Sequence, residues 1–163
     1  MQARHEGTEL QMPIGHSVYI GAAEENAAAA LLLHEAGQYA PAHYLAGVAV
    51  ECVLRACITR EVVEFDSRHQ IKDLCKRARF YSWMPQARLD DVTVAMHTVA
   101  SRWSNDHRYR SAAALAKWLS ERRLDQKVAR AKRLPASSAA VPSAMQTIVT
   151  VGCARWQKGL RNA

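Results

Sequence analysis

Arg102, His107 and Tyr109 fall in the string Arg102-Trp103-Ser104-Asn105-Asp106-His107-Arg108-Tyr109, which reads R-x-x-x-x-H-x-Y. In a chain with 16 arginines and 7 histidines the Arg–His spacing is an ordinary coincidence. A tyrosine two residues further on, from only 5 in the chain, makes the longer string specific. An imidazole can take the proton of a ribose 2′-hydroxyl near neutral pH. A guanidinium can hold the neighbouring phosphate through two hydrogen bonds and stabilise the charge that gathers on it. Attack by the 2′-oxygen would leave a cyclic phosphate, with no metal needed, and DNA would be spared.

Such chemistry needs both groups in one groove. Five residues along an unbroken helix put two side chains about 140° apart. Ser104, Asn105 and Asp106 are all good N-cap types, so a helix is expected to stop there and another to begin. Asn105 and Asp106 would then support the pair. Glu51 and Arg55, four apart on a helix, have two readings: they face the groove and orient the catalytic groups, or they form an ordinary intrahelical ion pair. His34, His43, His69 and His97 share no spacing and read as packing or capping residues. Trp83, Trp103, Trp118 and Trp156 read as core or interface anchors.

The net charge is +7 and the pI about 9.5, which favours polyanionic partners. Arg123, Lys127 and Arg130 would share one helical face, with Arg122, Lys132 and Arg133 nearby, and could form a rail for RNA phosphates, with Arg108 as a further RNA contact. A solvated helix face is the plainer reading of the same charges.

The elements that must position these residues are helical. Hydrophobic residues make up 49% of the 163, glycine and proline are scarce, and no β-branched run alternates. A first helix is expected over 17–36, with Gly37 as its stop. A second, with Pro41 in its first turn, should run to about Glu64 and is apolar almost all round, as a central helix would be. Ser67 with Gln70 resembles a capping box for a short third helix reaching about Phe80. Further helices are expected over 86–102, 111–134 and 143–160, with 135–143 as a loop because of Pro135, Pro142 and the serines. The fold class is all-α: an up-and-down bundle of about five to six helices, one domain over 1–163, with 1–15 a flexible segment.

The first thirteen residues carry charges and no apolar stretch, so they do not read as a signal peptide. No segment reads as a membrane span. Cys52, Cys57, Cys75 and Cys153 have no C-x-x-C pairing or zinc spacing and are expected to be reduced, buried thiols. The expectation is a cytoplasmic protein without metal or cofactor.

The segment Tyr44-Leu45-Ala46-Gly47-Val48-Ala49-Val50-Glu51-Cys52-Val53-Leu54-Arg55-Ala56 resembles the second-helix signature of HEPN domains. His69, Ile71 and Leu74 resemble the short helix that follows it, and Arg102, His107 and Tyr109 match the motif of HEPN toxins. The resemblance covers roughly residues 36–109. It implies a helical bundle, commonly a two-fold homodimer, with Arg and His of both protomers lining a cleft. It also implies a metal-independent endoribonuclease of a toxin–antitoxin or defence system. In one branch a nucleotidyltransferase antitoxin adenylylates the motif tyrosine, here Tyr109. One departure stands out: a polar residue usually follows the motif arginine, whereas here Trp103 does. Trp103, Arg108 and Tyr109 also fit a W-x-x-x-x-R-Y string found in other HEPN relatives. In that alternative the chain is a non-catalytic module that binds RNA, a nucleotide or a partner nucleotidyltransferase.

Overall fold

The computed structural model describes residues 14–59 and 69–161, with side chains through Trp156. Within them lie six α-helices and no strand: α1 (His16–Glu35), α2 (Tyr39–Thr59), α3 (Ile71–Arg77), α4 (Gln86–Arg102), α5 (Ala112–Glu121) and α6 (Arg133–Arg161). The all-α helical bundle expected from composition is the fold observed.

Gly37 ends α1 as its position suggests. Its φ is +74°, and the turn closes when Gln38 N–H donates to the Leu33 carbonyl at 2.8 Å and Gly37 N–H to that of His34 at 3.0 Å. This paired closure uses the left-handed conformation that glycine adopts without a Cβ clash. Pro41 sits in the first turn of α2, where its missing N–H leaves no gap. The expected continuation of α2 to Glu64, the Ser67 half of the capping box and residues 1–13 lie outside the described residues. Gln70 precedes α3 without making a side-chain cap bond.

Helix α2 is the central element. It packs against α1, α3 and α6, and α6 also packs along α4. By length and composition α2 could cross a membrane, but here it is a core helix: Val50, Val53 and Leu54 are fully buried. They meet Val92, Met96 and Val99 of α4 and Val141, Met145 and Ile148 of α6 in one apolar cluster. A smaller cluster of Leu115, Leu119 and Leu134 fastens α5 to α6. No disulfide joins the four cysteines among the described residues, and three of them are buried.

The C-terminal third departs from expectation. The helix expected over 111–134 stops at Glu121, and the loop expected over 135–143 is helical. Between α5 and α6 the chain turns through Arg123 and Asp125, both at positive φ (55° and 56°), with no glycine to mark the site. Pro135 is harmless because it lies in the first turn of α6, where N–H groups have no partner within the helix. Pro142 does lie inside α6 and removes one helix hydrogen bond. The surrounding apolar contacts keep the helix formed: Val141, Ala144 and Met145 are all in the core.

Candidate functional site

The break expected after Arg102 is present. Helix α4 ends there, Trp103 and Ser104 are extended, and a 3-10 turn follows over Asn105–Tyr109. The Ser104 hydroxyl accepts from Asp106 N–H at 3.5 Å, and the His107 ring returns the bond by accepting Ser104 N–H on Nδ1 at 3.4 Å. Ser104 and His107 thus close a reciprocal cap around the turn.

That cap draws His107 into the protein. It is 3% exposed, packed edge-on against Trp118 with ring centroids 4.5 Å apart, and 5.3 Å from the His43 ring. Burial, then the charges of His43, Arg110 and Arg122, lower its pKa from 6.5 to about 3. Since Nδ1 accepts a hydrogen bond, the neutral ring carries its proton on Nε2, which is buried without a partner. In this arrangement His107 is a neutral capping residue and presents no basic nitrogen to solvent.

Arg102 is turned elsewhere. Its Nη2 donates to Asp125 Oδ1 at 3.0 Å, pairing the end of α4 with the positive-φ turn before α6. The Arg102 carbonyl accepts from His43 Nε2 at 2.7 Å. His43 is fully buried, and burial first of all lowers its pKa from 6.5 to about 4. His43 therefore links the two motif residues from behind, through the backbone of one and the ring of the other. No hydrogen bond or ion pair joins Arg102 to His107 among the described residues.

The other half of the motif faces outward. Tyr109 is 77% exposed, and the exposed Arg108 guanidinium lies 4.6 Å from its ring centroid. Behind them the half-buried Tyr44 stacks on Trp103, whose indole N–H donates to the Tyr44 carbonyl at 2.9 Å. On α5 the Arg122 guanidinium sits 4.3 Å from the Trp118 centroid, on the helix that covers His107. Arg123, Lys127 and Arg130 are exposed, but no helix spans 121–129, so the expected rail along one helical face is not formed.

Asn105 and Asp106 line a different feature, a polar groove of about 520 Å³ between the 3-10 turn and the start of α3. His69, Lys72, Trp103 and Ser104 line it too. Glu51 and Arg55 lie below it and are buried, at 7% and 6% exposed. Arg55 Nε donates to Glu51 Oε1 at 2.7 Å, and the same oxygen contacts His69 Nδ1 at 2.8 Å. The intrahelical ion pair is thus present and buried, and His69 at the edge of the groove adds a contact to the same carboxylate. His69 reads from sequence as a packing or capping residue and is, among the described residues, the further partner of Glu51; His43 packs and caps as expected, and Asp125 has no spacing relation to the motif that would mark it. Among the described residues no group of three His, Cys, Asp or Glu side chains could hold a metal ion.

No curated protein and no solved structure matches the chain. A family model described as HEPN domain matches residues 17–112, more than half of the sequence, from the start of α1 through the motif to α5. The chain belongs to the HEPN domain family.

Proposed function

We propose that this protein is an RNA-binding HEPN module that holds single-stranded RNA on the outer face of the 3-10 turn without cutting it in this conformation. The observation that carries the reading is the opposite placement of neighbouring motif residues: His107 is sealed at 3% exposure while Tyr109 is 77% exposed. An exposed aromatic ring beside a guanidinium is a stacking platform for bases, and Arg108, Arg122 and the exposed cations of the α5–α6 turn supply phosphate contacts. The net charge of +7 favours the encounter. A cytoplasmic setting suits four cysteines that form no disulfide with one another. The exposure of Tyr109 also leaves it open to adenylylation by a partner nucleotidyltransferase, which would add negative charge to this same face and oppose RNA.

The test is fluorescence anisotropy of a short labelled oligouridylate in EDTA at two salt concentrations, with RNA integrity followed in the same samples. Binding should weaken steeply with salt. Tyr109→Ala and Arg108→Ala should each weaken it about ten-fold, as expected for loss of one stacked base or its cation. Affinity indifferent to salt and to both substitutions would overturn the proposal. Cleavage abolished by His107→Ala would overturn it in favour of an endoribonuclease built on Arg102 and His107 in a homodimer cleft.

A further inference from the structure

We infer that the groove between α3 and the 3-10 turn is a phosphomonoester site, anchored by His69 and Lys72 and set by the buried Glu51 carboxylate. This inference is independent of RNA binding on the outer face of the turn.

The argument starts from Glu51. A carboxylate only 7% exposed requires partners to remain charged, and Arg55 and His69 both converge on its Oε1. The contact at His69 Nδ1 places a proton on that nitrogen, since an ionised carboxylate can only accept. It therefore fixes the tautomer, the ring plane and the role of the second nitrogen. Nε2 is left free among the described residues, on a side chain 41% exposed at the groove. In the protonated form of the ring, with Nδ1–H held by the carboxylate, Nε2–H is a charged donor directed away from Glu51.

The surroundings suit a phosphate carried on an organic group. Lys72, exposed as the second residue of α3, is in no ion pair among the described residues, so its ammonium is available on the same wall. Two cationic donors complement a dianion. On the opposite wall Ser104, Asn105 and Asp106 offer hydroxyl, amide and carboxylate groups, which suit the hydroxyls of a sugar rather than a second phosphate. Among the described residues the charged groups bearing on His69 are Glu51 and Arg55 from α2, Lys72 from α3 and Asp106 from the turn. A groove of about 520 Å³ has room for a ligand of that size. A free sugar phosphate and the phosphorylated end of an RNA chain carry the same chemistry.

Calorimetric titration of the full chain with ribose 5-phosphate, and with one short RNA bearing either a 5′-phosphate or a 5′-hydroxyl, tests the site and separates the two sources. Ribose 5-phosphate should bind saturably, and less tightly as salt is raised. Lys72→Met and His69→Gln should each weaken it at least about ten-fold, the usual consequence of losing a charge-assisted bond. Tighter binding of the phosphorylated RNA, with the difference lost in Lys72→Met, would make an RNA end the ligand; equal binding of both RNAs would leave the free sugar phosphate. Lys72 is exposed, so Lys72→Met should fold normally even if His69→Gln does not. Failure of both ribose 5-phosphate and the RNA phosphate to bind, or full binding by Lys72→Met, would overturn the inference. Salt-sensitive binding of the 5′-hydroxyl RNA reports separately on the outer face.

Discussion

The indole of Trp103 occupies the space where Gly47 has no side chain: a Cβ on that glycine would overlap the ring. The contact locks the residue after α4 onto the middle of α2, and the indole N–H bond to Tyr44 fixes its orientation. Everything in the 3-10 turn is positioned from this point. Gly47→Ala should therefore cost about 1–3 kcal/mol, the usual range for overpacking, and shift the tryptophan emission. Gly152→Ala is the comparison. Its Cβ would meet one methyl group of the buried Val53 rather than the face of an indole held by a hydrogen bond. Urea titration of both variants should place Gly47→Ala clearly lower in stability.

The two buried histidines make the fold sensitive to mild acid. Burial lowers His43 to about 4 and His107 to about 3, both from 6.5. The unfolded chain consequently takes up more protons than the folded one as pH drops below 6.5, and stability falls through that window. Each histidine can contribute a slope of at most about 1.4 kcal/mol per pH unit. Stability should thus be nearly flat above neutrality and decline between about pH 6.5 and 5, before most carboxylates titrate. Replacing His107 by Phe should roughly halve that decline, read from chemical unfolding at several pH values.

Asp125 holds Arg102 and places a negative charge beside the basic surface. Asp125→Asn should lower stability by about 1–3 kcal/mol, because Arg102 loses its charged partner in a half-buried position. The same variant should bind RNA more tightly, since a phosphate can take the place of the carboxylate. Parallel unfolding and anisotropy measurements would detect the opposed signs. Weaker RNA binding by a folded Asp125→Asn would contradict this picture of the surface.

Trp118 is the cover over His107. Trp118→Ala should let solvent reach the ring and return its pKa toward 6.5, followed by NMR of the imidazole signals. Metal-independent RNA cleavage should still be absent, because Arg102 stays paired with Asp125 and the cap keeps Nδ1 occupied. Cleavage gained on uncovering would mean that the ring is a base held in reserve.

The sequence made the helical class, the central place of α2 and the break after Arg102 readable, each through a local signal. Those signals were the all-round apolar surface of α2, the Gly37 stop and the three capping types after Trp103. The side to which the turn sends His107 has no such signal. It depends on Ser104 and His107 closing a cap and on Trp118, from another helix, roofing the ring. The α5–α6 region misled for a related reason. Proline and serine mark loops only when tertiary packing does not override them, and here Val141 and Met145 are buried around Pro142. Arg123 and Asp125 adopt the left-handed conformation without glycine, so nothing in their types announced the turn. Glu51 and His69, 18 residues apart on different elements, could be joined only by the fold.

Helix α6 lies wholly beyond residue 112, where the family match stops, yet its Val141, Met145 and Ile148 supply the apolar wall on which α2 and α4 rest. A version of this protein trimmed to the matched span would leave that wall missing, with two greasy helix faces bare to water. The signature is thus recognisable in a stretch that should not survive by itself.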